Sequence, residues 1–162
     1  MMSTASIHLL ILVIVANSAP VLLTYCLGDR FARPIDGGLI FFDGRPLFGS
    51  SKTWRGLIGA ALSCAIVAPL LGYSVITGIL AGGLAMLGDL LSSFTKRRVG
   101  LTSSAQAPLL DQIPEAIIPA IVLKSVFMLT WRDIVALTAF FIFLEIIFSV
   151  IFYQLGIRKK PY

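Results

Sequence analysis

One stretch of this 162-residue chain carries most of the residue types that do chemistry. Residues 88–115 read GDLLSSFTKRRVGLTSSAQAPLLDQIPE. An acid, Asp89, closes an apolar run. The hydroxyls of Ser92 and Ser93 follow, then the cations Lys96, Arg97 and Arg98, then a polar loop, then the acids Asp111 and Glu115. On a helix, Asp89, Ser92, Ser93, Lys96 and Gly100 recur at spacings of three and four and share one face. Acid, hydroxyl and cation together at the end of an apolar helix suit a divalent metal and a phosphate at a membrane surface. For Lys96, Arg97 and Arg98 taken alone, a plain basic flank to a membrane segment serves equally well.

A second set of groups lies upstream, in RPIDGGLIFFDGRPLFGSSKTWRG from Arg33 to Gly56. Lys52 and Arg55 stand just before an apolar run and read as a grip on an anionic phosphate chain. Gly49, Ser50 and Ser51 can present backbone N–H groups to the same anion. Trp54 between the two cations reads as an interface anchor. Asp-Gly pairs at Asp36 and Asp43 mark turns. Phe41, Phe42, Leu47 and Phe48 are too apolar for a solvated loop, so they are expected to dip into the interface or pack on the bundle. Asp89, Asp111 and Glu115 facing these cations suggest Mg²⁺ with a polyphosphate, because Mg²⁺ takes hard oxygen ligands and retains waters. Glu115 reads equally as a first-turn acid that the helix dipole favours, with Pro114 suited to the first helical position. No His-rich or Cys-rich set suits zinc. Cys26 and Cys64 read as small packing residues, and the lone His8 as structural.

These groups must be positioned by apolar elements. The chain is 57% hydrophobic and 13% charged, with a mean hydropathy of +0.94, far from ordinary soluble composition. The expected fold is an all-α integral membrane protein with five spans, at 7–27, 56–73, 75–94, 113–129 and 134–155, and cytoplasmic loops at 29–55 and 95–112. The first run is no secretory signal, because cations follow it and none precede it. The fourth run is short for a hydrocarbon core of about 30 Å and holds Pro114 and Pro119, so it reads as kinked or partly re-entrant. Eleven of the thirteen Lys and Arg residues then fall on one side, all but Lys124 and Arg132. The positive-inside rule puts the N-terminus outside and the C-terminus in the cytoplasm. Gly78 and Gly82 allow close helix approach. Thr138, Glu145, Ser149 and Tyr153 form a stripe on the fifth span that should look into the bundle, with Lys124 a weak partner for Glu145. The net charge of +5 does not indicate nucleic acid, since the cations sit at the ends of apolar runs. Nothing in the sequence excludes a homo-oligomer.

The combination PIDGG, DGRPLFGSSKTWRG, GDLLSSFTKRR, LLDQIPE and the tail GIRKKPY resembles the CDP-archaeol synthase family, within the CTP:phosphatidate cytidylyltransferase superfamily. The resemblance covers nearly the whole chain. The superfamily pattern GDL-x-E-S-x-x-K-R falls on Gly88, Asp89, Leu90, Ser93, Lys96 and Arg97, with Ser92 where Glu is often found. The Lys-Asp pair that follows in the phosphatidate enzymes is here GLTSSAQ, and their D-R-x-D becomes Asp111-Gln112-Ile113-Pro114-Glu115. Both departures move the match towards the archaeol type. The resemblance implies CTP, Mg²⁺ and a lipid phosphate as reactants, with a CDP-lipid and pyrophosphate as products, at the cytoplasmic face of the cell membrane. It implies catalytic roles for Asp89, Lys96, Arg97 and Asp111. Nucleotide binding falls to Lys52, Thr53, Arg55 and Ser93, and the metal to Asp89, Asp111 and Glu115. A CDP-alcohol phosphotransferase is disfavoured, since Asp43-Gly44 is followed by Arg-Pro-Leu-Phe. A non-enzymatic transporter subunit or scaffold would carry charges at mid-membrane, whereas here they gather at one interface.

Overall fold

A computed structural model describes residues 2–102, 107 and 109–156. Five helices appear in order: α1 Thr4–Leu27, α2 Trp54–Leu70, α3 Val75–Arg98, α4 Gln112–Val122 and α5 Trp131–Gln154. There is no strand among the described residues, only isolated bridges Pro34–Thr53 and Ile40–Pro46 in the loop before α2. Four helix starts are capped by hydroxyls. Ser3, Thr53 and Ser74 accept from the backbone N–H of Ser6, Gly56 and Thr77, and Thr130 forms a reciprocal capping box with Asp133. Each cap satisfies an N–H that the helix itself leaves free.

α1, α3 and α5 are long and apolar enough to cross a membrane; α2 and α4 are shorter apolar helices. The segments alternate in direction. Ser3 at the start of α1 donates its N–H to Asp133 at the start of α5 (3.2 Å), so these two starts share one end of the bundle. Tyr73, in the α2–α3 turn, packs on Phe127 (centroids 4.3 Å apart) and on His8 (5.7 Å), which places the far end of the fourth segment there too. The expected fourth span is helical only from Gln112 to Val122, about 16 Å at about 1.5 Å per residue. Residues 123–128 complete the traverse as turns. Pro114 is the third helical residue rather than the first, still within the turn whose N–H groups need no helical partner.

The core is a column of small side chains from α2 and α3 with larger ones from α1, α5 and the turns after α4: Ala60, Cys64, Ala81 and Ala85 against Leu9, Leu12, Phe127, Leu137 and Phe141, all essentially inaccessible. Gly78 and Gly82 make this possible. A β-carbon on either would strike the α2 backbone at Cys64 or Ala60, as their four-residue spacing predicts. Cys64 is buried and donates its thiol to the Leu12 carbonyl; Cys26 is exposed, not a packing residue.

Candidate functional site

The charged residues gather at the other end of the bundle, where α1 and α3 finish and α2 and α4 begin. α3 continues past the apolar run to Arg98. It stops because Gly100, at φ +84°, takes the left-handed conformation that glycine adopts without strain. Gly100 N–H donates to Arg97 O (3.1 Å) and Leu101 N–H to Lys96 O (3.0 Å), the paired bonds of a Schellman ending. Gly100 therefore lies beyond the helix and off the face expected for it. The other members of that face behave as one: Ser92, Ser93 and Lys96 are buried and Asp89 is partly so.

Lys52 reaches from the loop to α3 and donates to both oxygens of Asp89, at 2.6 and 2.7 Å. Both side chains keep about a fifth of their surface, so the pair is reachable from solvent. Burial works against the Lys52 ammonium, but the Asp89 carboxylate outweighs it and holds its pKa above the usual lysine value. Lys96 pairs with Asp111 at 2.8 Å. Asp111 does not cap α4; its Oδ2 accepts from Ala107 N–H. Ser92 donates to Gly88 O (2.9 Å) and lies 3.3 Å from Asp111 O. Glu115 is buried and set against Asp89, with Lys52 and Glu145 its further charged neighbours. Glu115 stands in the first turn of α4, as expected, and its buried side chain also faces the site. The stripe on α5 looks inward in part: Thr138 and Ser149 are buried and Glu145 is half-buried, but Tyr153 is exposed. Lys124 instead lies over the Trp131 ring, 4.3 Å from its centroid.

Gly88 brings α3 and α4 together. A β-carbon there would sit 2.5 Å from the Pro114 carbonyl, so only glycine lets Asp89 and Glu115 meet. A metal can be weighed against these donors. Asp89 and Glu115 are adjacent hard oxygen groups, which fits Mg²⁺, an ion commonly held by one or two carboxylates plus substrate phosphates. Among the described residues no three acid, His or Cys side chains form a ligand set, and Asp111 is turned to Lys96.

A cleft of about 310 Å³ opens beside the Lys52–Asp89 pair, lined on its polar side by Ser50, Ser51, Thr53 and Arg55 and on its apolar side by Pro20, Leu57, Met86 and Leu90. Thr53 is the α2 cap, so its hydroxyl oxygen is engaged by Gly56 N–H. Arg55 departs from its expected role. Its guanidinium donates to Gly28 O (2.9 Å), Arg30 O (2.6 Å) and Thr24 Oγ1 (3.0 Å), tying off the end of α1. Arg97 is buried and donates to Leu101 O (2.7 Å). Arg98 and Arg45 clamp the loop to α3. Arg45 donates to the carbonyls of Arg97 and Arg98, while Arg98 donates to Pro46 O and pairs with Asp43 at 3.1 Å. Arg98 also lies over Phe41 and Phe94, 4.6 and 4.8 Å from their centroids. Phe41 thus packs on the bundle as expected, whereas Phe42 is fully exposed. The tail cations Arg158, Lys159 and Lys160 lie outside the described residues.

Sequence reasoning missed Asp36, read there as a turn former. Its buried carboxylate accepts the N–H groups of Gly38 (3.0 Å), Phe48 (2.9 Å) and Gly49 (3.0 Å). Burial alone would raise its pKa, but these donors outweigh it and hold the pKa below the usual carboxylate value. The Asp-Gly-Gly run was the available sign.

Comparison with known proteins gives a consistent result. The family model described as CarS-like CDP-archaeol synthase matches residues 1–162. A CDP-archaeol synthase of Aeropyrum pernix is 31% identical over 165 aligned positions, covering 97% of this chain and 91% of that one. One from Hyperthermus butylicus is 45% identical over 114 positions, covering 67% of this chain and 65%, just under two thirds, of the relative. A solved intramembrane enzyme of archaeal membrane lipid biosynthesis superposes with a TM-score of 0.72 at 27% identity, over 89% of this chain and 92% of that one.

Proposed function

The chain belongs to the CarS-like CDP-archaeol synthase family, and from that premise we propose that it transfers the cytidylyl group of CTP to a membrane lipid phosphate. The product is a CDP-lipid of archaeol or related type, and pyrophosphate is released. The observation that carries this reading is the Lys52–Asp89 ion pair in a cleft with one polar and one apolar wall. The polar wall suits a triphosphate and the apolar wall suits the glycerol end of a lipid.

The reaction needs no protein nucleophile. A lipid phosphate oxygen attacks the α-phosphorus of CTP, and the bond to the bridging oxygen breaks, so that pyrophosphate leaves with the electron pair. Catalysis then rests on alignment and neutralisation of charge. Lys52 and Lys96 exchange their internal carboxylate partners for phosphate oxygens, and the N–H groups of Ser50 and Ser51 add neutral donors. Arg97 holds the chain at Leu101 and adds positive charge beside Asp111. Ser93, expected among the nucleotide-binding residues, is buried within the α3 face. Asp89 and Glu115 would hold Mg²⁺, which supplies positive charge against the triphosphate. Asp111, expected as a third ligand, is instead the resting partner that Lys96 leaves for phosphate.

The same reading places five segments across the cell membrane, with the N-terminus outside and the site at the cytoplasmic face, supported by the alternating direction of the helices and the one-sided cations. The test is purified protein supplied with CTP and Mg²⁺ and either an archaeol-type or a diacyl lipid phosphate. Release of pyrophosphate matched by CDP-lipid is expected, and no release with either lipid would defeat the reading. Reporters before Met1 and after Tyr162 should fall on opposite sides of the membrane; both on one side would defeat the five-crossing arrangement.

A further inference from the structure

We infer that Asp36 is a positioning residue for nucleotide binding, acting through the loop 49–53 without touching the substrate. The inference rests on the cytidylyltransferase reading above and adds a residue to it. Asp36 lies in the loop before α2, outside the helical bundle, and its carboxylate is buried with three backbone N–H donors and, among the described residues, no ion-pair partner.

Those donors join two distant limbs. Oδ1 takes Gly38 N–H, closing the turn that follows Asp36 in the chain. Oδ2 takes Phe48 and Gly49 N–H, twelve and thirteen residues on. Gly49 sits at φ +95°, a conformation strained for any other residue, so the chain turns sharply where the carboxylate grips it. The next residues are the polar lining of the cleft: Ser50, Ser51, Lys52 and Thr53. The far side of this short run is also fixed. Ile35, next to Asp36, donates its N–H to Lys52 O (2.8 Å), Lys52 N–H donates to Gly49 O (3.2 Å), and Pro34 bridges to Thr53. Residues 34–36 therefore hold both ends of the run from which Lys52 reaches Asp89. An aspartate suits the task because a carboxylate accepts on both oxygens and donates on neither. Asparagine keeps one acceptor and points an N–H₂ at donors.

The experiment measures steady-state kinetics for Asp36→Asn and Asp36→Ala in the purified, monodisperse full-length enzyme, varying CTP and lipid phosphate separately. Direct CTP binding to the same preparations is measured by calorimetry. KM for CTP should rise by about tenfold or more in both variants, the scale of losing a charged hydrogen bond. KM for the lipid and kcat should stay within a few-fold of wild type, and CTP binding should weaken in parallel. If both variants keep the wild-type KM and affinity for CTP, the inference fails. It also fails if kcat falls with the folded fraction while both KM values hold, because Asp36 would then be purely structural. Calorimetry on the folded fraction keeps the test decisive where turnover is low. Wild-type enzyme that neither binds nor uses CTP would overturn the functional reading itself, an outcome separate from either failure.

Discussion

Two acids at opposite ends of the bundle, Asp133 and Asp89, are satisfied in opposite ways. At the end where α1 and α5 begin, Asp133 accepts from the N–H and hydroxyl of Thr130, the N–H of Ser3 and the hydroxyl of Ser6. All of these are neutral donors, and the groups are complete as they stand. At the other end both oxygens of Asp89 are taken by the ammonium group of Lys52. A neutral dipole that caps a carboxylate has nothing further to offer an ion. Two charges that neutralise each other can both be re-partnered, the cation by a phosphate and the acid by a metal. Reactivity in this molecule is thus a matter of which partner an acid has.

The sharpest way to break that comparison is Asp89→Asn, which keeps the shape and removes the charge. Turnover should fall by roughly two to three orders of magnitude while the protein still elutes as a folded species; wild-type kcat across a Mg²⁺ titration would show that Asp89 is no ligand. Gly88→Ala comes next. The added methyl strikes the Pro114 backbone, so α4 must shift. Overpacking of this kind costs about 1–3 kcal/mol, and the melting temperature and turnover should drop together, because Glu115 moves with α4. An unchanged melting temperature would mean that the contact yields freely.

Lys52→Arg and Arg97→Lys preserve charge and alter geometry, since a planar fork and a compact ammonium are not interchangeable in a fitted site. Each should lose roughly ten- to a hundredfold in kcat/KM, measured with CTP varied. Wild-type kinetics in both would reduce these cations to markers of orientation. Arg55→Lys should move KM for CTP less than Lys52→Arg does, and show itself mainly in thermal stability through the end of α1. The smallest effect belongs to the far end: Asp133→Asn should lower the melting temperature by a few degrees through its cap and leave turnover per folded molecule unaltered. A change in KM there would dissolve the distinction between the two ends.

Much of this was legible in residue order. The helices follow from the apolar runs, and the shared face of Asp89, Ser92, Ser93 and Lys96 follows from spacing alone. Gly78 and Gly82 announced the α2–α3 contact for the same reason. Partner choice was not legible. Lys52 and Asp89 are 37 residues apart, and nothing local says that they meet. Arg55 looks as ready for phosphate as Lys52, and only the folded chain shows the α1 carbonyls that claim it. Asp36 and Asp43 carry the same Asp-Gly sign, yet one ties its own turn to Phe48 and Gly49 and the other pairs with Arg98. The extent of α4 was half visible: its prolines warned of irregularity, but the helical stop at Val122 and the turn beyond it that packs Phe127 against Tyr73 were not.

That short helix also bears on the lipids around the protein. α1, α3 and α5, each of 24 residues, reach about 36 Å, more than twice the helical length of α4. Beside α4 the regular helix stops early, and the turns of 123–128 carry the chain the rest of the way. Backbone groups in turns are not all paired as in a helix, and lipid offers them no partner. Phe127 against Tyr73 and Lys124 over Trp131 pack this stretch onto the protein. A change of bilayer thickness should therefore strain this flank before it strains the continuous helices α1, α3 and α5.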